Sequence, residues 1–217
     1  MRPCIFSWSD MPPDDPIHSP RYRCRVFVDF WNYTLSMRGI EADFRTDWSR
    51  LGPVLSSAAA KVVDATAASE YQGLNVYGSY DPERDTSLHR WATRTLDTFP
   101  GVSVWMARRQ KKRSPPVCPR CQAAAEKCAA CGADMRGTEE KGVDVRMATD
   151  IISLAWIENY DIAVLVSSDR DFVPLAGFLE TRGIKVIHGA FPPKGAQLTA
   201  RCWAGINVGH LREQFRR

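Results

Sequence analysis

The sequence predicts an α/β fold, with a central, mostly parallel sheet covered by helices on both faces. Strand-type and helix-type apolar patterns alternate along the 217 residues, which calls for crossover connections and parallel pairing. Segments such as IAVLV, residues 162–166, are apolar without a break, as a strand covered on both faces must be. The stretches between them repeat apolar residues every three or four positions, the pattern of a helix with one buried side.

Taken in order, CRVFVDF (24–30) reads as the first strand, rich in Val and Phe. A loop around Arg38–Asp47 leads into a helix over about Trp48–Tyr71, and LNVYGSY (74–80) is the second strand. From Asp85 a helix aligns Leu88, Trp91, Ala92, Leu96 and Phe99, and VSVWMAR (102–108) is the third strand. After an interruption, Val143–Asn159 reads as a helix and IAVLVSS (162–168) as the fourth strand. Asp171–Thr181 is a helix with Phe172, Leu175, Ala176 and Leu179 on one side. Pro174 is tolerated in its first turn, and Gly183 is placed to end it. KVIHGAF (185–191) is the fifth strand, followed by a short helix near Leu198–Trp203 and a last segment, INVGHL.

A hydrophobic content of 44% and a charged content of 25% are those of an ordinary globular chain. No apolar stretch approaches the length that spans a bilayer, so no membrane partner is expected. The opening, MRPCIFSWSDMPPDDPIHSP, has acids and prolines where a secretory signal would be smoothly apolar. Residues 1–21 therefore read as an extension, tacked down at most by Phe6 and Trp8, and the cytoplasm is the expected compartment.

The net charge of +4 is unevenly spread. Between Met106 and Gly142 nine basic and four acidic residues leave +5, so the remaining chain carries −1. A local basic patch on a near-neutral body suits a polyanionic partner held at one place. A solvated charge run beside a loop is the plainer alternative.

The interruption after the third strand is RRQKKRSPPVCPRCQAAAEKCAACGADMRGTEEKG. Cys118-x2-Cys121 and Cys128-x2-Cys131 are two tight hooks, and four thiolates in a tetrahedron make a structural zinc site. Residues 114–137 are too few to bury a core of their own, which makes metal support physically sensible. Disulfides are disfavoured in cytosol, and the spacing leaves an iron–sulfur cluster open. The flanking Arg108, Arg109, Lys111, Lys112 and Arg113 would meet backbone phosphates of a nucleic acid. Docking of a protein partner through the insert is the alternative.

Four aspartates complete the pattern. Asp29 ends the first strand in VFVDFWNY, with Asn32 three residues on; Asp144 opens a helix in KGVDVRMATD; Asp169 and Asp171 straddle Arg170. In a parallel sheet all strand-to-helix connections share one edge, where ligands bind. Two carboxylates about 4 Å apart repel by roughly 4 kcal/mol at a typical effective protein dielectric, so the cluster calls for solvent, basic partners or a cation. Mg²⁺ or Mn²⁺, held by one or two carboxylates and several waters, suits such oxygen ligands, and acts on phosphodiesters by generating hydroxide and stabilising the leaving oxygen. Singly, Asp144 and Asp169 have the bland reading of helix caps. Asp150 points round the helix from Asp144 and reads as supporting or structural. His188, near the same edge, reads as structural, and Trp31 and Tyr33 as core rather than base-stacking residues. No G-x-G-x-x-G or Walker loop is present, so dinucleotide and nucleotide triphosphate binding lack support.

In this order, VFVDFWNY, KGVDVRMATDI and VLVSSDRDFVPLAGFLETRGIKVIHGAF resemble the NYN domain family, the LabA-like branch of the PIN-type nucleases. The resemblance spans about Cys24–Val208 apart from the cysteine insert. It implies a PIN-like Rossmannoid three-layer sandwich over residues 22–217, Mg²⁺ or Mn²⁺ as cofactor, and hydrolysis of RNA. It assigns metal or catalytic roles to Asp29, Asp144, Asp169 and Asp171, with Asn32 orienting the site and Ser167 supporting it. Phe30 and Ser168 stand where Gly is common in that family, so backbone room near the substrate differs. The expected activity is a metal-dependent endoribonuclease; the alternative is an RNA-binding or protein-docking module without turnover. Pairing into a homodimer is left open.

Overall fold

A computed structural model of the chain describes residues 19–217. Six strands form one sheet: β1 (Arg21–Asp29), β2 (Ala68–Tyr80), β3 (Val102–Arg108), β6 (Ile162–Val166), β7 (Lys185–Ala190) and β8 (Ala204–Asn207). Their spatial order is β3-β2-β1-β6-β7-β8, and every neighbouring pair is parallel. After β3 lies a two-stranded antiparallel hairpin, β4 (Gln110–Lys111) with β5 (Thr138–Glu139), which carries the cysteine insert.

Period-two alternation sends successive strand residues to opposite faces, and both faces are covered. One layer packs α1 (Phe30–Ile40) and α2 (Trp48–Val63) on Val26, Val28, Leu74, Val76, Val164 and Val166, through Tyr33, Met37, Leu51 and Leu55. The other packs α4 (Val143–Trp156), α5 (Val173–Thr181) and α6 (Ala196–Arg201) on Phe27, Tyr77, Ala163 and Leu165, through Met147, Ile151, Leu175, Leu179 and Leu198. Helix α3 (Thr86–Arg94) lies beside β3 at the sheet's edge, and Gly183 ends α5 in the left-handed region at φ +79°. The result is the expected three-layer α/β sandwich.

Several boundaries differ from the sequence reading, and three of them bear on the fold. The first strand stops at Asp29, and Phe30 opens α1, a helix for which the sequence reading assigns no element. The long helix expected to Tyr71 ends at Val63, because Asp64 Oδ1 accepts from the backbone N–H and hydroxyl of Thr66 at 2.8 and 2.7 Å and turns the chain into β2. β1 begins at Arg21, within the expected extension; Phe6 and Trp8 lie outside the described residues.

The insert is built twice over with a ten-residue repeat. Backbone N–H groups of Cys118 and Cys128 donate to Ala123 and Ala133 O at 2.9 and 2.8 Å, and those of Gln122 and Gly132 donate back to Cys118 and Cys128 O at 2.9 and 2.8 Å. Gln122 and Gly132 both adopt positive φ, +59° and +70°. Each hook is thus the same tight turn, with glycine at the demanding position in the second and glutamine in the first.

Candidate active site

The strand order reverses between β1 and β6, since connections from β1 run outward on one side and those from β6 on the other. Such a switch point opens a crevice beyond the carboxyl ends of the two strands. Asp29 ends β1 there, and Ser167, Ser168 and Asp169 follow β6.

Asp29 is the N-cap of α1: its Oδ1 accepts the backbone N–H groups of Trp31 and Asn32, both at 3.1 Å. Oδ2 accepts from Asn32 Nδ2 at 2.6 Å and from Ser167 Oγ at 3.3 Å. Asn32 Oδ1 in turn accepts the N–H of Ser168 at 3.2 Å, while Ser167 Oγ accepts that of Asp169 at 3.2 Å. Asp169 Oδ1 accepts the N–H of Asp171 at 2.9 Å and caps the 3-10 turn Arg170–Phe172. One chain of hydrogen bonds therefore ties the first motif to the third.

His188 supports this frame from below. It is fully buried on β7, with Nε2 2.7 Å from Ser167 O and Nδ1 2.7 Å from Thr199 Oγ1. A carbonyl only accepts, so Nε2 carries the proton of the neutral ring. Burial lowers the His188 pKa, in keeping with a neutral, structural imidazole.

Asp144 enters from the N-terminus of α4. Its carboxyl is pushed up to about 6, first by burial and then by the charges of Asp29, Asp169, Glu140 and Asp171. Burial also raises the Asp29 pKa, against the hydrogen bonds from Asn32 and with a contribution from Glu140. Asp29, Asp169 and Asp171 therefore all act on Asp144 electrostatically, drawn with it from three segments to one sheet edge. Glu140 is a fifth acid that sequence reasoning passed over. It hydrogen-bonds Ser79 Oγ at the end of β2, and Trp31 Nε1 donates to Ser79 O at 2.8 Å. In the sequence Glu140 sits in the short charged run Glu139-Glu140-Lys141, and only its spacing of four from Asp144 hints at a shared role.

Other candidates have local duties. Asp150 accepts from Tyr77 OH at 3.1 Å and from Arg146 Nε at 2.9 Å, a structural carboxylate. Tyr33 is buried and bonds Thr46 at 2.8 Å, so it belongs to the core. In the basic run, Arg108, Lys112 and Arg113 are exposed, and Arg109 is half-buried with its Nε lacking a partner. Lys111 pairs with Asp134 at 2.8 Å, an acid that also binds Arg136 at 2.6 Å.

Among the described residues, no three His, Cys, Asp or Glu side chains are grouped tightly enough to hold a metal ion. The donor chemistry at the acidic edge nonetheless fits a hard divalent cation: all ligands are oxygens, and no cation is among the groups acting on Asp144. In the insert, all four cysteines are free thiols. Within each hook, backbone N–H groups pull the first thiol down: those of Cys121 and Arg120 at Cys118, and those of Cys131 and Ala130 at Cys128. Each hook is prepared for a thiolate, but the four sulfurs are not drawn into one group.

No helix among the described residues is long and apolar enough to cross a membrane. No curated protein matches the chain. A crystal structure of a protein of unknown function from Vibrio parahaemolyticus is similar over 94% of this chain and 100% of its own, at 17% identity and a TM-score of 0.50; a likeness at that identity bears on the fold alone. The family model for the NYN domain matches residues 23–202, the span holding all three acidic motifs and the insert. The chain belongs to the NYN domain family, part of the PIN-like nuclease superfamily.

Proposed function

We propose that this chain is a metal-dependent endoribonuclease whose Asp29, Asp144 and Asp169 hold Mg²⁺ or Mn²⁺, with Asp171 as a further ligand or as the base that orients water. The observation that carries this reading is the hydrogen-bonded frame Asp29–Asn32–Ser167–Ser168–Asp169 at the sheet's switch point. It holds two carboxylates from distant motifs in fixed orientation, as preorganised catalysis requires. When bound, the cation supplies positive charge to the scissile phosphate and lowers the pKa of water. Asn32 keeps Asp29 turned toward the edge, Ser167 links it to the third motif, and Glu140 adds negative charge beside Asp144. Exposed Arg108, Lys112 and Arg113 would take the RNA backbone. Zn²⁺ on Cys118, Cys121, Cys128 and Cys131 would brace the insert between them and the site, about one ion per chain.

The test is cleavage of single-stranded and structured RNA with Mg²⁺ or Mn²⁺, against a chelator and against Asp169→Asn. Cleavage should require the ion and fall at least about a hundredfold in the variant, the loss expected when a charged group acting on the transition state is removed. RNA that binds but stays intact with either ion would instead favour a binding module, and equal cleavage by the variant would place the activity in a contaminant.

A further inference from the structure

A second cluster of basic side chains lies beside the acidic edge, on α3. Thr86, His89, Arg90, Thr93 and Arg94 recur at three- and four-residue spacing and form one polar stripe; Leu88 and Trp91 pack on the core, and Ala92 beside them is buried. The stripe, with Tyr80 at the end of β2 and Arg108 at the end of β3, walls a cleft of about 530 Å³. Arg90 and Arg94 are like charges one helical turn apart, which repel, and both are exposed. Among the described residues, Arg90, Arg94 and Arg108 make no ion pair, and all three line the one cleft. Three guanidinium groups gathered without a counter-charge ask for an anion from outside.

Two of the residues lining the cleft are aromatic. Tyr80 and His89 stack with ring centroids 3.9 Å apart and planes at 21°. Stacked rings backed by arginines suit unpaired bases and the phosphates between them. The position also fits: Asp29 pairs with Tyr77 across the β1–β2 ladder, and Tyr80 lies three residues further, about 10 Å at strand rise. Arg108 pairs with Tyr80 on the next strand. The cleft thus continues the acidic edge rather than facing away from it.

We infer that the cleft of Tyr80, His89, Arg90, Arg94 and Arg108 is a subsite for single-stranded RNA, holding the strand where it runs past the acidic site. The assignment rests on the nuclease reading for its direction, but its test does not.

Binding of a short fluorescein-labelled single-stranded RNA to the full chain is followed by anisotropy in the presence of chelator, so that nothing turns over, between about 50 and 200 mM salt. Arg90→Ala with Arg94→Ala should weaken binding about tenfold at the lower salt. It should also flatten the slope of log affinity against log salt by about 1.4, two single-strand phosphates at roughly 0.7 each. Arg90→Lys with Arg94→Lys should restore most of both, and unchanged thermal midpoints check that the variants fold. Unaltered affinity and slope overturn the subsite and leave the cleft to another partner, such as an acidic protein. An equal loss on an RNA duplex overturns its single-strand character. Weakened binding in a chain that never cleaves RNA supports the subsite while removing the nuclease; active cleavage with unaltered binding removes the subsite alone.

Discussion

At the residue scale, the acids of the site are legible in the sequence because each sits where a strand gives way to a helix, and a parallel sheet gathers such positions at one edge. What the sequence withholds is the polar frame that orients them. Asn32 and Ser167 are common residues in common places; only their bonds to Asp29, made across 138 positions in the case of Ser167, show what they do. Glu140 is hidden for a different reason, since its neighbours Glu139 and Lys141 form an ordinary surface pair at 2.8 Å. His188 offers a test of the frame through pH. Burial keeps it neutral, whereas an unfolded imidazole takes up a proton below about 6.5. The unfolded chain then binds more protons than the folded one, so this contribution to stability is complete above that pH and is lost as pH falls through it. Thermal midpoints of the wild type should therefore drop more between about pH 7.5 and 5.5 than those of His188→Gln, and parallel curves would count against a neutral buried imidazole.

At the element scale, the strands and helices with long apolar runs were readable, and the misses trace to local side-chain chemistry. VFVDFWNY looks continuously strand-like because Phe, Trp and Tyr favour sheets; the Asp29 cap overrides that preference and starts α1 one residue later. The α2 pattern continues past Val63 in composition, yet the Asp64–Thr66 turn stops it. The paired hooks give this scale its prediction. Gln122 holds a left-handed conformation that its twin Gly132 adopts freely, at a cost of about 1–2 kcal/mol for a residue with a Cβ. Gln122→Gly should therefore steady the first hook, slowing amide exchange across Pro115–Ala125 about fivefold, the effect of about 1 kcal/mol. Exchange that is unchanged or faster would show the turn to be unstrained.

At the scale of the molecule, the insert hangs from the sheet by a two-residue hairpin, and its described residues are nearly all exposed. The body's two apolar layers are complete without it. Replacing residues 114–137 by a short Gly-Ser link should move the thermal midpoint by no more than about 2–4 °C, what about 1 kcal/mol produces in a chain of this size. It should also weaken RNA binding if the insert braces the basic run. A collapse of the midpoint would mean that the insert folds the body rather than serving it.

The crevice at the strand-order reversal has a consequence for synthesis. β1 is made before its neighbour β6, which follows more than a hundred residues later, after the entire insert. At a translation rate of about 5–20 residues per second, the Asp29 side chain waits roughly 7–28 s for Ser167 to appear. The proposed site assembled this way stays incomplete, and harmless to the messenger, until the third motif has been made.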